Sequence, residues 1–181
     1  GSTRLPGKVL MPIAGRVLID HILGRLAELV LPIKIVVATT RQTQDDALAR
    51  HCQRAGVDLF RGSETDVLDR YYQCALTNRF EHIVRLTADN PFTDIHELRR
   101  LIIRHMEDKN DYTHSFGELP IGVGAEIFCF HALAKSFLKG KDPNHREHVN
   151  EYIQEHPDIF KIRKLEVPRT KHFPELRLTV D

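Results

Sequence analysis

Two glycines, two hydroxyl residues and two cations fall within Gly1-Ser2-Thr3-Arg4-Leu5-Pro6-Gly7-Lys8, a mixture suited to an extended anion. Backbone N–H groups and hydroxyls can donate to phosphate oxygens there, while Arg4 and Lys8 add charge-assisted bonds. The loop is not of the Walker A type, which needs glycines five apart and Ser or Thr directly after the lysine. Gly1 and Gly7 are six apart, and Val9 follows Lys8. A solvated terminal turn is the plainer alternative. A second constellation is Arg85-Leu86-Thr87-Ala88-Asp89-Asn90-Pro91, in which an apolar strand delivers Asp89 to its C-terminal end before Pro91 turns the chain. Asp181 repeats that arrangement after Leu176-Arg177-Leu178-Thr179-Val180. Ligands of open α/β sheets sit beyond the carboxyl ends of strands. Two carboxylates converging there suit Mg²⁺, a hard cation that takes one or two carboxylates and leaves positions for water and substrate phosphates. Taken singly, each aspartate reads as a turn or helix-cap residue; together with the loop they point to a metal-and-phosphate site.

The elements that must position these residues alternate along the chain. Short β-branched runs take turns with segments whose apolar residues recur every three or four positions, the signature of an α/β domain with a mostly parallel sheet. Leu18, Ile22, Leu26 and Leu29 share a helical face, and a strand is expected at Ile33–Ala38. A helix from Asp45 to Ala55 is capped by Gly56, with a strand at Val57–Phe60. Asp66–Asn78 reads as helix, His82–Thr87 as strand and Asp94–Met106 as helix. Further on, strands are expected at Tyr112–Phe116, Glu126–Phe130, Phe160–Val167 and Leu176–Val180, with helices near Ala132–Leu138 and His145–Glu155.

Composition narrows the function classes. Across 181 residues, 26 Lys+Arg balance 25 Asp+Glu for a net charge of +1. Phosphate-dominated nucleic-acid binding or adhesion to a membrane surface usually needs a concentrated basic excess. Hydrophobic residues at 41% and charged residues at 28% describe an ordinary globular chain, and one domain is the expectation at this length. No apolar stretch approaches a membrane span and no leader is evident, so a cytoplasmic setting is expected. Cys52, Cys74 and Cys129 are odd in number and lack CxxC spacing, so reduced core residues are expected. His145 and His148 have an i, i+3 spacing, but no third zinc ligand accompanies them. Gly122-Val123-Gly124 lacks the third glycine of a dinucleotide fingerprint and reads as a loop hinge. Tyr71 and Tyr72 read as core and half-core helix residues rather than base-stacking platforms.

The chain resembles the sugar and sugar-acid cytidylyltransferases, in particular the spore coat polysaccharide biosynthesis branch, which is similar to the CMP-sugar-acid synthetases. GSTRLPGKVL at 1–10, AGRVLIDHILGRL at 14–26, GSETDVLDRYYQCA at 62–75, RLTADNPFTD at 85–94, REHVNEYIQEHP at 146–157 and LRLTVD at 176–181 carry the resemblance. It implies a three-layer α/β sandwich of the glycosyltransferase-A kind that transfers a cytidylyl group from CTP to a sugar or sugar acid and releases pyrophosphate. It also implies Mg²⁺ on Asp89 and Asp181, triphosphate contacts from Ser2, Arg4 and Lys8, and a nucleoside beside Gly62, Ser63 and Arg85. Arg4 and Lys8 are the expected catalytic cations. Residues 117–160 are expected to form the sugar side and a homodimer interface, with Arg146 and His148 in a sugar-side or interface element. Glu126, just after Gly124, reads equally as a carboxylate toward the sugar or as a surface carboxylate at a strand start. Family members usually place an apolar strand before the opening loop and a helix after the last aspartate, so the chain as written is expected to be a single domain, 1–181, without those two elements. Two other readings stay open at this point. One is a glycosyltransferase consuming a nucleotide sugar, although no DxD motif follows a strand; the other is a non-catalytic domain that binds nucleotide or a partner.

Overall fold

Apolar spacing and end caps set the elements. The computed structural model describes residues 7–180. In chain order they are β1 (Pro12–Ile13), β2 (Arg16–Val17), α1 (Leu18–Leu26), β3 (Val36–Thr40), α2 (Asp46–Ala55), β4 (Asp58–Gly62), α3 (Val67–Asn78), β5 (His82–Arg85), α4 (Ile95–Asp108), β6 (Tyr112–His114), β7 (Glu126–Cys129), α5 (Phe130–Lys139), α6 (Pro143–Glu147), α7 (Glu151–Gln154) and β8 (Ile162–Lys164). Aspartates cap the starts of α3 and α4. The Asp66 carboxylate accepts from the Asp69 N–H at 2.8 Å and that of Asp94 from the Glu97 N–H at 3.0 Å, filling donors that a helix N-terminus leaves open. Gly56 ends α2 in the left-handed conformation, as its position predicts.

The chain divides into two compact units, Ile33–Ile83 with Cys129–Lys161, and residues 7–32, Val84–Phe128 and 162–180. In the first unit β3 and β4 pair in parallel, Val36 opposite Asp58 through Thr40 opposite Gly62. Helices α2 and α3 pack on β4, and α5 and α6 pack on α3. Cys52, Leu68, Leu133, Val149 and Ile153 are fully buried. Tyr72, half-buried, stacks on Phe137 at 4.2 Å between ring centroids, so its ring is engaged in packing. All three cysteines are free thiols, and burial pushes that of Cys74 above its usual value.

The larger sheet runs in the order β5-β7-β6-β8 and is mixed. β6 pairs antiparallel with β7 and parallel with β8, so the sheet is less uniformly parallel than alternation alone implies. The antiparallel neighbour arises because the chain between β6 and β7 returns without a crossover helix. Leu98 and Leu101 of α4 pack with Leu29, Ala125, Ile127 and Leu165 in the core of the second unit. Two expected elements differ. The helix at His145–Glu155 is split into α6 and α7, because His148 takes an extended conformation at the end of α6. The strand at Leu176–Val180 is extended chain with a single bridge, Ile121 to Arg177; it has a neighbour over too short a run to form a ladder.

Candidate functional site

Lys8 and Asp89 meet in the second unit. Gly7 turns the chain through φ +72 into the short helical turn at Lys8–Leu10, a backbone conformation that suits glycine. The Lys8 side chain is nearly buried, and its Nζ donates to Asp89 Oδ2 at 3.1 Å and to the Val180 carbonyl at 2.8 Å. The Val180 N–H in turn donates to the Asp89 carbonyl at 2.9 Å. The residue before Asp181 is therefore bonded to both members of the pair, across a long stretch of sequence. Asp181, Ser2 and Arg4 lie outside the described residues. Asp89 Oδ1 accepts from Thr87 Oγ1 at 2.5 Å. Burial works against its ionisation, but the bonds from Thr87 and Lys8 outweigh burial and hold the carboxyl below its usual value. Asp89 is thus a carboxylate at neutral pH.

The extended end of the chain is brought to this corner by close packing. Ile121 donates to the Leu176 carbonyl and accepts from the Leu178 N–H, both at 2.8 Å. Gly122 stands at φ +91, and a Cβ there would lie 2.8 Å from Thr179 Cγ2 and 3.1 Å from the Leu178 backbone. The glycine expected to be a hinge is the point at which two backbones touch. Lys171 ties the same segment down, its Nζ bonding Asp94 Oδ2 at 2.7 Å and Glu97 Oε1 at 3.1 Å. Burial opposes ionisation of Asp94 and Glu97, yet the Lys171 bonds leave both carboxyls below their ordinary values of 3.8 and 4.5. Carboxyls depressed in the fold add stability that is complete above the unfolded values and lost as pH falls through the folded ones. The Lys171 ammonium is raised by the same bonds, against its own burial, so its contribution is complete below its ordinary value and lost only in strong alkali. Lys171→Met is therefore expected to lower the urea midpoint at pH 7 and to flatten the acid limb between about pH 5 and 3; urea titrations at several pH values check this.

Arg85 and Glu126 also meet. Arg85 Nη1 donates to Glu126 Oε1 at 2.5 Å, and the Tyr112 hydroxyl donates to Oε2 at 2.6 Å. Glu126 is completely buried and reaches no solvent. Its two oxygens are met by a guanidinium and a phenol, the pairing that a buried charge needs.

The remaining candidates lie in the first unit. Gly62 ends β4 so tightly that a Cβ would sit 2.8 Å from Arg70 Cγ and 2.9 Å from Phe60 Cε1. Ser63 Oγ accepts from the Asp66 N–H at 3.1 Å and its carbonyl from Arg70 Nη1 at 2.5 Å. Arg146 is bound within the fold: Nε and Nη2 reach Asp66 Oδ2 at 2.8 and 2.5 Å, Nη1 donates to the Phe137 carbonyl at 3.0 Å, and the guanidinium lies 4.9 Å from the Phe137 ring centre. A fork that bridges a carboxylate, a carbonyl and a ring is not reproduced by an ammonium. Arg146→Lys is expected to cost about 1–3 kcal/mol, read by chemical denaturation. His148 is exposed. His145 Nε2 pairs with Glu155 at 2.8 Å and Nδ1 accepts from the Asp142 N–H, so this ring is a helix cap. Sequence reasoning missed Thr87 and Asn90, which flank Asp89, because their chemistry appears only once the turn brings them back onto the carboxylate.

Whether the corner suits a divalent cation is tested by its donors. They are hard oxygens, the ionised Asp89 carboxylate and the Val180 carbonyl; the next residue in sequence, Asn90, carries a buried Oδ1 with no partner among the described residues. A cationic group already bridges the first two. The donor set fits Mg²⁺, which prefers oxygen. No helix among the described residues is long and apolar enough to cross a membrane.

Comparison with known proteins follows the same lines. The sequence pattern of the cytidylyltransferase family matches residues 1–180. The spore coat polysaccharide biosynthesis protein SpsF of Bacillus subtilis is 37% identical over 186 residues, covering all of this chain and 77% of its own length. Among solved structures, a cytidylyltransferase from Leptospira borgpetersenii superposes with a TM-score of 0.93 at 30% identity, over all of this chain and 77% of that one. The CMP:2-keto-3-deoxy-manno-octonic acid synthetase complexed with CTP has the same fold, with a TM-score of 0.69 at 16% identity over 92% of this chain and 86% of its own.

Proposed function

The chain belongs to the cytidylyltransferase family of nucleotidyltransferase enzymes, and on that premise we propose that it uses Mg²⁺ to transfer the cytidylyl group of CTP to an oxygen of a sugar or sugar acid. Family membership sets aside the glycosyltransferase reading and supports an enzyme over a non-catalytic domain. The observation that carries the proposal is the corner at which Lys8 is held between the Asp89 carboxylate and the carbonyl of Val180.

In the proposed reaction an oxygen of the sugar attacks the α-phosphorus, the new O–P bond forms, and the bond to the β-phosphate oxygen breaks to release pyrophosphate. Such a displacement asks the protein for positioning and charge stabilisation rather than for a side-chain nucleophile. Asp89 and Asp181 are the residues proposed to hold Mg²⁺, which when bound neutralises charge on the phosphate oxygens. Lys8 has three N–H donors, of which two meet Asp89 and Val180 among the described residues. With Ser2 and Arg4 it is the proposed ligand of the leaving phosphates. Gly62, Ser63 and Arg85 are assigned to the nucleoside, and in this reading Glu126 acts through Arg85, since its buried carboxylate holds the guanidinium. His148, exposed, is the stronger sugar-side candidate, while Arg146 fixes the neighbouring segment. SpsF is named for polysaccharide biosynthesis, which supports a surface-polysaccharide sugar as acceptor. A homodimer and a cytoplasmic setting complete the reading.

The test is product identity. The complete protein with CTP, Mg²⁺ and a panel of sugars and sugar acids is expected to release pyrophosphate and yield a CMP conjugate by mass spectrometry. UTP, ATP and GTP are expected to react far more slowly. Release of free nucleotide from a nucleotide sugar, with no CMP conjugate from CTP, would contradict the proposal.

A further inference from the structure

Thr87 lies at the start of a tight turn. The Asn90 N–H donates to the Thr87 carbonyl at 3.2 Å, an i to i+3 closure over Thr87-Ala88-Asp89-Asn90. The turn brings the Asn90 side chain back as well, and its Nδ2 donates to Thr87 Oγ1 at 2.8 Å. A hydroxyl has one proton and accepts through its lone pairs. Because the amide donates into Oγ1, the proton of Thr87 is directed to Asp89 Oδ1, 2.5 Å away. The terminal torsion of an aspartate is broad when unsupported. Here Oδ1 is held by Thr87 and Oδ2 by Lys8, so the plane of the carboxylate is fixed.

We infer that Thr87, oriented by Asn90, is a positioning residue that presents the Asp89 carboxylate to its divalent cation. The inference rests on the metal reading of Asp89 given above. It assigns Thr87 an indirect role, since it touches the metal ligand and not the substrate. Hydrogen-bonding partners that orient a metal ligand typically change metal affinity by about 10- to 100-fold when removed.

The experiment measures Mn²⁺ affinity of the complete protein by electron paramagnetic resonance, without CTP, for the native form, Thr87→Val, Thr87→Ser and Asp89→Asn. Valine keeps the shape of threonine and lacks the hydroxyl; serine keeps the hydroxyl and lacks the methyl. The expected result is binding about 10- to 100-fold weaker in Thr87→Val, near-native in Thr87→Ser and lost in Asp89→Asn. If serine weakens binding while valine keeps it, Thr87 acts through its methyl packing and the inference is overturned. Native affinity in Thr87→Val together with loss in Asp89→Asn overturns the inference and leaves the metal reading standing. Native affinity in all forms, Asp89→Asn included, removes both. Should Thr87→Val fail to fold, Thr87→Ala replaces it: it also lacks the hydroxyl, and unchanged Mn²⁺ affinity there overturns the inference.

Discussion

Asp89→Asn in the complete protein is expected to lower kcat by about 10³-fold while leaving the fold intact. Asparagine keeps nearly the same volume, and its single amide oxygen can accept from one of Thr87 and Lys8 while its NH2 turns a donor toward the other; the Val180 N–H bond to the residue 89 carbonyl is untouched. What is lost is the negative charge, which the structure maintains at neutral pH against partial burial. A group that stabilises transition-state charge in a dry site contributes about 10²–10³ in rate, and metal assistance several kcal/mol. Steady-state kinetics across a Mg²⁺ series, paired with a thermal melt, distinguish this from unfolding. A kcat within threefold of native would remove Asp89 from the reaction.

Lys8→Ala is the second large effect, and its signature differs. Lys8 is assigned to the leaving phosphates, so its removal is expected to slow turnover with CTP by roughly 10- to 150-fold while the KM for the sugar changes little. Charge-assisted hydrogen bonds contribute ~1.5–3 kcal/mol, which gives that range when expressed in the transition state. The variant also leaves Asp89 and the Val180 carbonyl without their shared donor, so some loss of stability accompanies it. Lys8→Arg is the useful control: a guanidinium keeps the charge but brings a planar fork into a place shaped for a compact ammonium. Partial recovery of CTP kinetics is expected, and unchanged CTP kinetics in Lys8→Ala would exclude the phosphate assignment.

The helices of each unit were legible because each depends on local terms: the apolar spacing of Asp66–Asn78, the stripe through Ile95, Leu98 and Leu101, and Gly56 as a stop. Asp89 was legible because an apolar strand runs into it and Pro91 ends the turn. The meeting of Lys8, Asp89 and Val180 bears on the expectation that the two strand ends converge, since the residue before Asp181 bonds to Asp89. What sequence could not yield is long-range pairing. Nothing local announces that Arg146 is turned onto Asp66 and Phe137, or that Glu126 is buried against Arg85 and Tyr112. An isolated arginine or glutamate reads the same at a surface, in a substrate pocket and inside a paired network. The stretch at 145–155 misled for a related reason: its apolar spacing suits one helix, but Pro143 and the Asp142–His145 cap start a short turn that ends by His148. The chain end at 176–180 misled in the opposite sense, because alternation predicts extension, and extension is present without a ladder.

The central claim is that one divalent cation is shared by Asp89 and Asp181 while Lys8 faces the phosphates. Crystals of the complete protein grown with CTP and Mn²⁺, measured at the manganese absorption edge, test it most directly through anomalous difference density. The account predicts a peak about 2.0–2.2 Å from a carboxylate oxygen of each aspartate, with phosphate oxygens completing the shell and Lys8 Nζ on the β- or γ-phosphate. A peak bound elsewhere, or the two carboxylates turned to different faces of the sheet, would contradict it.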